Sequence, residues 1–180
     1  MSDKRQQTPS AAPARPKKPQ LVATRGQVDL RLFLHLLATF VHRMDNARRE
    51  LYFGDLALAS VAGTIALQSI DPNMRDPAFR DKFSDLRRVI GIEGQHPVNA
   101  LSIAEATGVP RETVRRKLKI LLQKGVIIEQ SRGLYVIKPG FAQTPQHLAV
   151  IEHAVRDAIQ FLNDCLRVGL VNLSQDPADA

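Results

Sequence analysis

A chain of 180 residues, 44% of them apolar, can build one core but not several. Its single cysteine, Cys165, excludes an internal disulfide framework and a cysteine-based zinc site. A net charge of +7, with few aromatics and no tryptophan, points to a polyanionic partner bound through charge rather than base stacking.

The charge is uneven along the chain. Residues 1–26 carry six cations against Asp3, and residues 96–140 carry eight cations against Glu105, Glu112 and Glu129. The first segment also holds four prolines and reads as a disordered basic arm, residues 1–26. It has no apolar leader core, so the expected compartment is the cytoplasm.

Residues 27–53 contain neither proline nor glycine, and Leu30, Phe33, Leu37, Phe40, Met44, Ala47 and Leu51 recur at alternating spacings of three and four. That repeat predicts a helix packed along a seam. Leu32, Leu34, Leu36 and Val41 widen its apolar stripe, so the helix is expected to face both its own domain and a second chain. Gly54-Asp55 breaks the pattern, and a second helix is expected to about Ile70. Between Leu51 and Ile70 only Asp55 is charged, but Ser60, Thr64 and Gln68 form a polar stripe, which favours a packed helix over a membrane span. Asp71-Pro72 and Asp76-Pro77 punctuate, and a third helix is expected over 77–90. Residues 27–94 together read as an N-terminal helical dimerisation region.

Residues 95–140 read as a separate module. Asn99 caps a short helix over 100–107, Gly108-Val109 makes a tight turn, and Pro110 opens a helix to about Lys124. On that helix Val114, Leu118, Leu121 and Leu122 share one face, opposed by Glu112, Arg116 and Lys119. Arg111 lies at the N-terminal tip, and Arg115 and Lys117 flank the exposed face. Two β-rich runs, 126–130 and 134–137, surround the turn Ser131-Arg132-Gly133 and predict a hairpin. The expected fold class is therefore mainly α: a winged helix-turn-helix with flanking dimerisation helices and a small β-hairpin wing.

Thr144-Pro145 is a helix start. Leu148, Ile151, Val155, Ala158, Leu162, Cys165 and Gly169 repeat the same three–four spacing toward about Leu170. Residues 141–171 read as a C-terminal dimerisation helix and 172–180 as a disordered tail. Two seam helices around one module point to a homodimer.

The stretch TGVPRETVRRKLKILLQKGVI, residues 107–127, resembles the recognition region of bacterial winged-helix transcription regulators. Its RETVRR is similar to the recognition helix of the cyclic-AMP receptor protein family. That resemblance implies base-reading roles for Arg111, Glu112 and Arg116. The helical layout on either side looks more like multiple-antibiotic-resistance-type regulators, and nothing in residues 27–90 matches a cyclic-nucleotide barrel.

The chemistry of the residues agrees. A guanidinium donates two hydrogen bonds to guanine O6 and N7, and a carboxylate accepts from cytosine N4. Thr113, Arg115, Lys117 and Lys119 are placed as backbone contacts, and Arg132 at the wing tip can reach a minor groove. No catalytic constellation, cofactor motif or matched histidine set is present, so an enzyme is not expected. The expected function is sequence-specific double-stranded DNA binding by a transcriptional regulator, with no membrane partner. Whether a small-molecule effector binds is left open. The alternative is a winged helix used as a protein–protein interaction module without DNA binding.

Overall fold

Five polar side chains each stop one helix from starting earlier. Asp29, Asp55, Asp76, Asn99 and Thr144 accept hydrogen bonds from backbone N–H groups of the first turns that follow them, at 2.9–3.4 Å. The helices they open are α1 (Leu30–Leu51), α2 (Leu56–Met74), α3 (Pro77–Lys82), α4 (Ala100–Thr107) and, after Thr144, α6 (Pro145–Arg167). Between the last two lies α5 (Arg111–Gln123). The structure, a computed structural model, describes residues 19–24 and 29–174. Six helices dominate it, with two small antiparallel sheets.

Helix α2 is the central post. It touches α1, α3, α4 and α5, and its Leu58, Ala59, Val61, Ala62, Ile65 and Ser69 are buried. A helix surrounded on several sides cannot carry charge, which explains the uncharged run after Asp55. No single described helix is long and apolar enough to cross a membrane. The core continues from α2 into Ile103, Val114, Leu118, Leu121, Val126 and Ile127.

The three-stranded sheet has the order β2-β4-β3, with β2 at Val98–Asn99, β3 at Ile127–Ser131 and β4 at Leu134–Ile137. The hairpin β3–β4 agrees with the sequence expectation. Strand β2 was not expected: it is two residues long, and Val98 pairs with Tyr135. Gln95 extends the same edge, because its side chain both accepts from and donates to the Ile137 main chain at 3.1 and 3.0 Å.

Two further differences concern helix ends. The third helix stops at Lys82 instead of Ile90. Beyond it, Ser84 donates to the Asp81 carbonyl and Asp85 accepts from the Arg87 N–H, local bonds that compete with helix continuation. Helix α2 runs one turn past Ile70 with Pro72 inside it, its last turn tied down by the Asn73 side chain, which donates to the Gly94 carbonyl at 3.0 Å.

The ends of the described chain meet. Strand β1 (Gln20–Ala23) pairs with β5 (Val171–Ser174), and Val22 is buried beneath the ribbon. The first strand falls inside the segment expected to be an arm, and most of the second inside the expected tail. The basic part of the arm, residues 1–18 and Arg25, and tail residues 175–180 lie outside the described residues.

The seams behave differently from expectation. Helices α1 and α6 pack antiparallel within one chain: Phe33 and Phe40 meet Phe161, and Tyr52 meets His147. Arg43 reaches Asp157 across the pair at 3.6 Å. The α6 face turned to α1 is therefore the Phe161 and Asp157 face; of the expected α6 seam Cys165 is buried, but not Val155 and Leu162. Those two, with Ile159, stay exposed, as do Leu30, Leu34 and Val41 on α1. At about 100° per residue, the leftover α1 stripe lies roughly 90° beyond Phe33 and Phe40. The α6 stripe lies roughly 130° beyond its inner face. Because the helices run in opposite directions, both stripes fall on the same side of the pair.

Candidate nucleic-acid interface

Helix α5 is oriented by its apolar residues. Val114, Leu118 and Leu121 are at most 2% exposed, and each contributes roughly 1.5–3 kcal/mol on burial. Rolling the helix over would forfeit most of that, so the outward face is fixed. A Schellman motif ends the helix: the Val126 N–H reaches the Leu121 carbonyl, the Gly125 N–H reaches Leu122, and Gly125 sits at φ +67°. At the other end Pro110 occupies the N-cap, one position earlier than expected, and Gly108 at φ +68° makes the turn from α4.

Arg111, Glu112, Arg115, Arg116 and Lys119 are all exposed. Only Arg111 and Glu112 stand in the first turn with charge; the helix dipole favours the carboxylate there by roughly 0.3–1 kcal/mol and disfavours the guanidinium. Glu112 is 85% exposed and pairs with Arg115 at 3.5 Å, an exposed pair worth about 0–1 kcal/mol.

Lys117 is placed elsewhere. Its side chain is only 12% exposed and its ammonium is bound to the Asp55 carboxylate at the start of α2. The hydrogen bond from Lys117 holds the Asp55 carboxyl below the ordinary aspartate range. A phosphate contact from Lys117, expected from the helical wheel, is therefore not available without breaking this pair. Thr113 is half-buried on the same flank. At the far end, Lys124 lies over the Phe53 ring at 4.8 Å.

The hairpin presents Arg132, exposed, in its turn. Gly133 takes φ +75°, and its N–H donates to the Glu129 carboxylate at 2.6 Å, which closes the turn. Between α5 and β4 lies an open groove of about 340 Å³, lined by Glu112, Arg115, Leu118, Lys119, Leu122 and Tyr135. Burial raises the Tyr135 phenol above its ordinary value and the Glu129 carboxylate raises it further, against the lowering effect of Arg115. Tyr135 and Asp55 were not among the expected site residues. Tyr135 is legible only once β4 is paired so that it stands opposite Glu129.

The segment that carries this geometry can be compared with known proteins. Residues 97–147 match the family model of the Firmicute plasmid replication protein RepL. The match covers β2, α4, α5, the hairpin and the start of α6, less than a third of the chain. No curated protein and no solved structure matches the chain.

This finding corrects the resemblance to the cyclic-AMP receptor protein family and to multiple-antibiotic-resistance-type regulators. RETVRR is six residues long, and any helix with one buried stripe and one cationic stripe can carry such a run. The RepL match extends over the module as a whole, and transcriptional regulation has no support.

Proposed function

We propose that this chain binds double-stranded DNA sequence-specifically in plasmid replication. Residues 95–140 act as a winged helix-turn-helix, with α5 inserted in the major groove and Arg132 of the hairpin wing directed to the adjacent minor groove. The observation that carries this reading is the outward stripe of α5, where Glu112 stands among Arg111, Arg116 and Lys119. A carboxylate weakens a purely electrostatic phosphate binder but serves a reader of base edges, through cytosine N4. Arg111 and Arg116 supply the complementary donors to guanine, while Arg115 and Lys119 neutralise phosphates. The similarity of residues 97–147 to RepL supports a role in replication. The role is one of binding without catalysis, in the cytoplasm.

The protein acts as a homodimer. The shared side of α1 and α6 supports this, because it exposes Leu30, Leu34 and Val41 beside Val155, Ile159 and Leu162. Two copies joined there form a four-helix layer and bring two α5 helices to half-sites about one helical turn apart.

Selection of bound sequences from a random duplex pool, followed by titration at several salt concentrations, tests the reading. A recovered consensus and an affinity that falls steeply with salt are expected. Absence of duplex binding at low salt would leave the module as a protein-interaction surface.

A further inference from the structure

The groove between α5 and β4 shares Glu112 and Lys119 with the outward stripe of α5 and adds a phenol and an apolar floor. Its floor is apolar, from Leu118 and Leu122, and its rim carries Arg115, Lys119 and the Tyr135 phenol. One strand of a duplex separates the major groove from the neighbouring minor groove. If α5 lies in the first and the Arg132 turn in the second, that strand must cross between helix and hairpin, over this groove.

We propose that the groove seats one backbone phosphate of the crossing strand, with Tyr135 donating its hydroxyl proton to a phosphate oxygen beside Arg115 and Lys119. The inference rests on the duplex-binding reading and adds to it Tyr135 and a defined position for one phosphate. Glu112 also lines the groove and holds Arg115 in the free chain. A phosphate competes for that guanidinium, and the exposed pair is cheap to break. Arg115 then exchanges carboxylate for phosphate, and Glu112 turns free toward the bases. Backbone docking and base reading are thereby linked through one side chain. The phenol, neutral near pH 7 as an ordinary tyrosine is, donates without adding charge.

The test uses the full-length protein and a duplex carrying its selected sequence, with single phosphates replaced in turn by neutral methylphosphonates. One replacement is expected to weaken wild-type binding markedly and to cost Tyr135→Phe or Arg115→Gln less than it costs the wild type. Tyr135→Phe should weaken selected and random duplexes alike, by about 2- to 10-fold, with the salt slope unchanged. Arg115→Gln, a surface change that leaves the core intact, should lower the slope by about one. Wild-type affinity in Tyr135→Phe, or methylphosphonate losses that add in full to those of both variants, would overturn the proposal while leaving duplex binding in place. Failure of the wild type to bind any duplex would instead remove the reading on which it rests.

Discussion

Lys117 of α5 is bound to Asp55, the residue that caps α2. One carboxylate thus does two jobs: one oxygen accepts from the Leu58 N–H at the helix start, and the other holds the ammonium. The helix proposed to enter DNA is tied by this contact to the central post of the fold. The same corner holds Lys124 through Phe53, which takes φ +56° in the left-handed region that a bulky residue seldom adopts.

Asp55→Asn separates the two jobs, because asparagine caps as well as aspartate but carries no charge. It should destabilise the protein by roughly 1–3 kcal/mol, between the values for exposed and fully buried pairs, since it strands a nearly covered ammonium. Lys117→Met should cost less, because Asp55 keeps its cap and is partly open to water. Urea midpoints measure both. Lys117→Met should also leave the salt slope of DNA binding unchanged, and a slope lowered by about one would return Lys117 to the phosphate contacts.

Arg116→Ala should lose roughly 1–3 kcal/mol on the selected duplex and relax the preference at one position. Lys119→Ala should weaken selected and random duplexes equally and lower the salt slope by about one. Competition binding with both duplexes reads the contrast. Equal losses for Arg116→Ala on the two would remove its base-reading role.

Leu34→Glu and Leu162→Glu place charge on the exposed side of α1 and α6 without touching the contacts of Phe161. Both variants should keep the far-ultraviolet spectrum of the parent and sediment at half its mass. A wild type that sediments as a monomer at micromolar concentration would dispose of the interface.

His147 lies edge-on to Tyr52 and Phe141, with ring centroids 6.5 and 5.0 Å away, and its buried Nδ1 has no hydrogen-bond partner. Burial lowers its pKa below the ordinary 6.5. Between the lowered value and 6.5 the unfolded chain binds more protons than the folded one, so stability rises with pH through that window. The contribution is complete above 6.5 and is lost as the pH falls through the folded value. Urea midpoints should drop between pH 7.5 and pH 5, and His147→Phe should drop less.

The local chemistry of α4, α5 and the hairpin was legible because it is written in neighbouring residues. Asn99 caps α4 with its side chain, Gly108, Gly125 and Gly133 fix turns whose dihedrals few other residues adopt, and the spacing of Val114, Leu118 and Leu121 fixes which side of α5 looks outward. Other features depend on residues far apart in the chain. The sequence marked Lys117 as an exposed cation, and only packing against α2 brought Asp55 to it from 62 positions away. Likewise the heptad spacing on α1 marked a seam, but could not say whether its partner was α6 of the same chain or a second copy. Strand β2 has two residues, too few for any periodicity, and exists because β4 offers an unpaired edge. Helical periods are set by bonds within a few residues, whereas partners are chosen by whichever surface the rest of the chain delivers. For that reason the outward face of α5 could be derived from its sequence, and the groove beside Tyr135 could not.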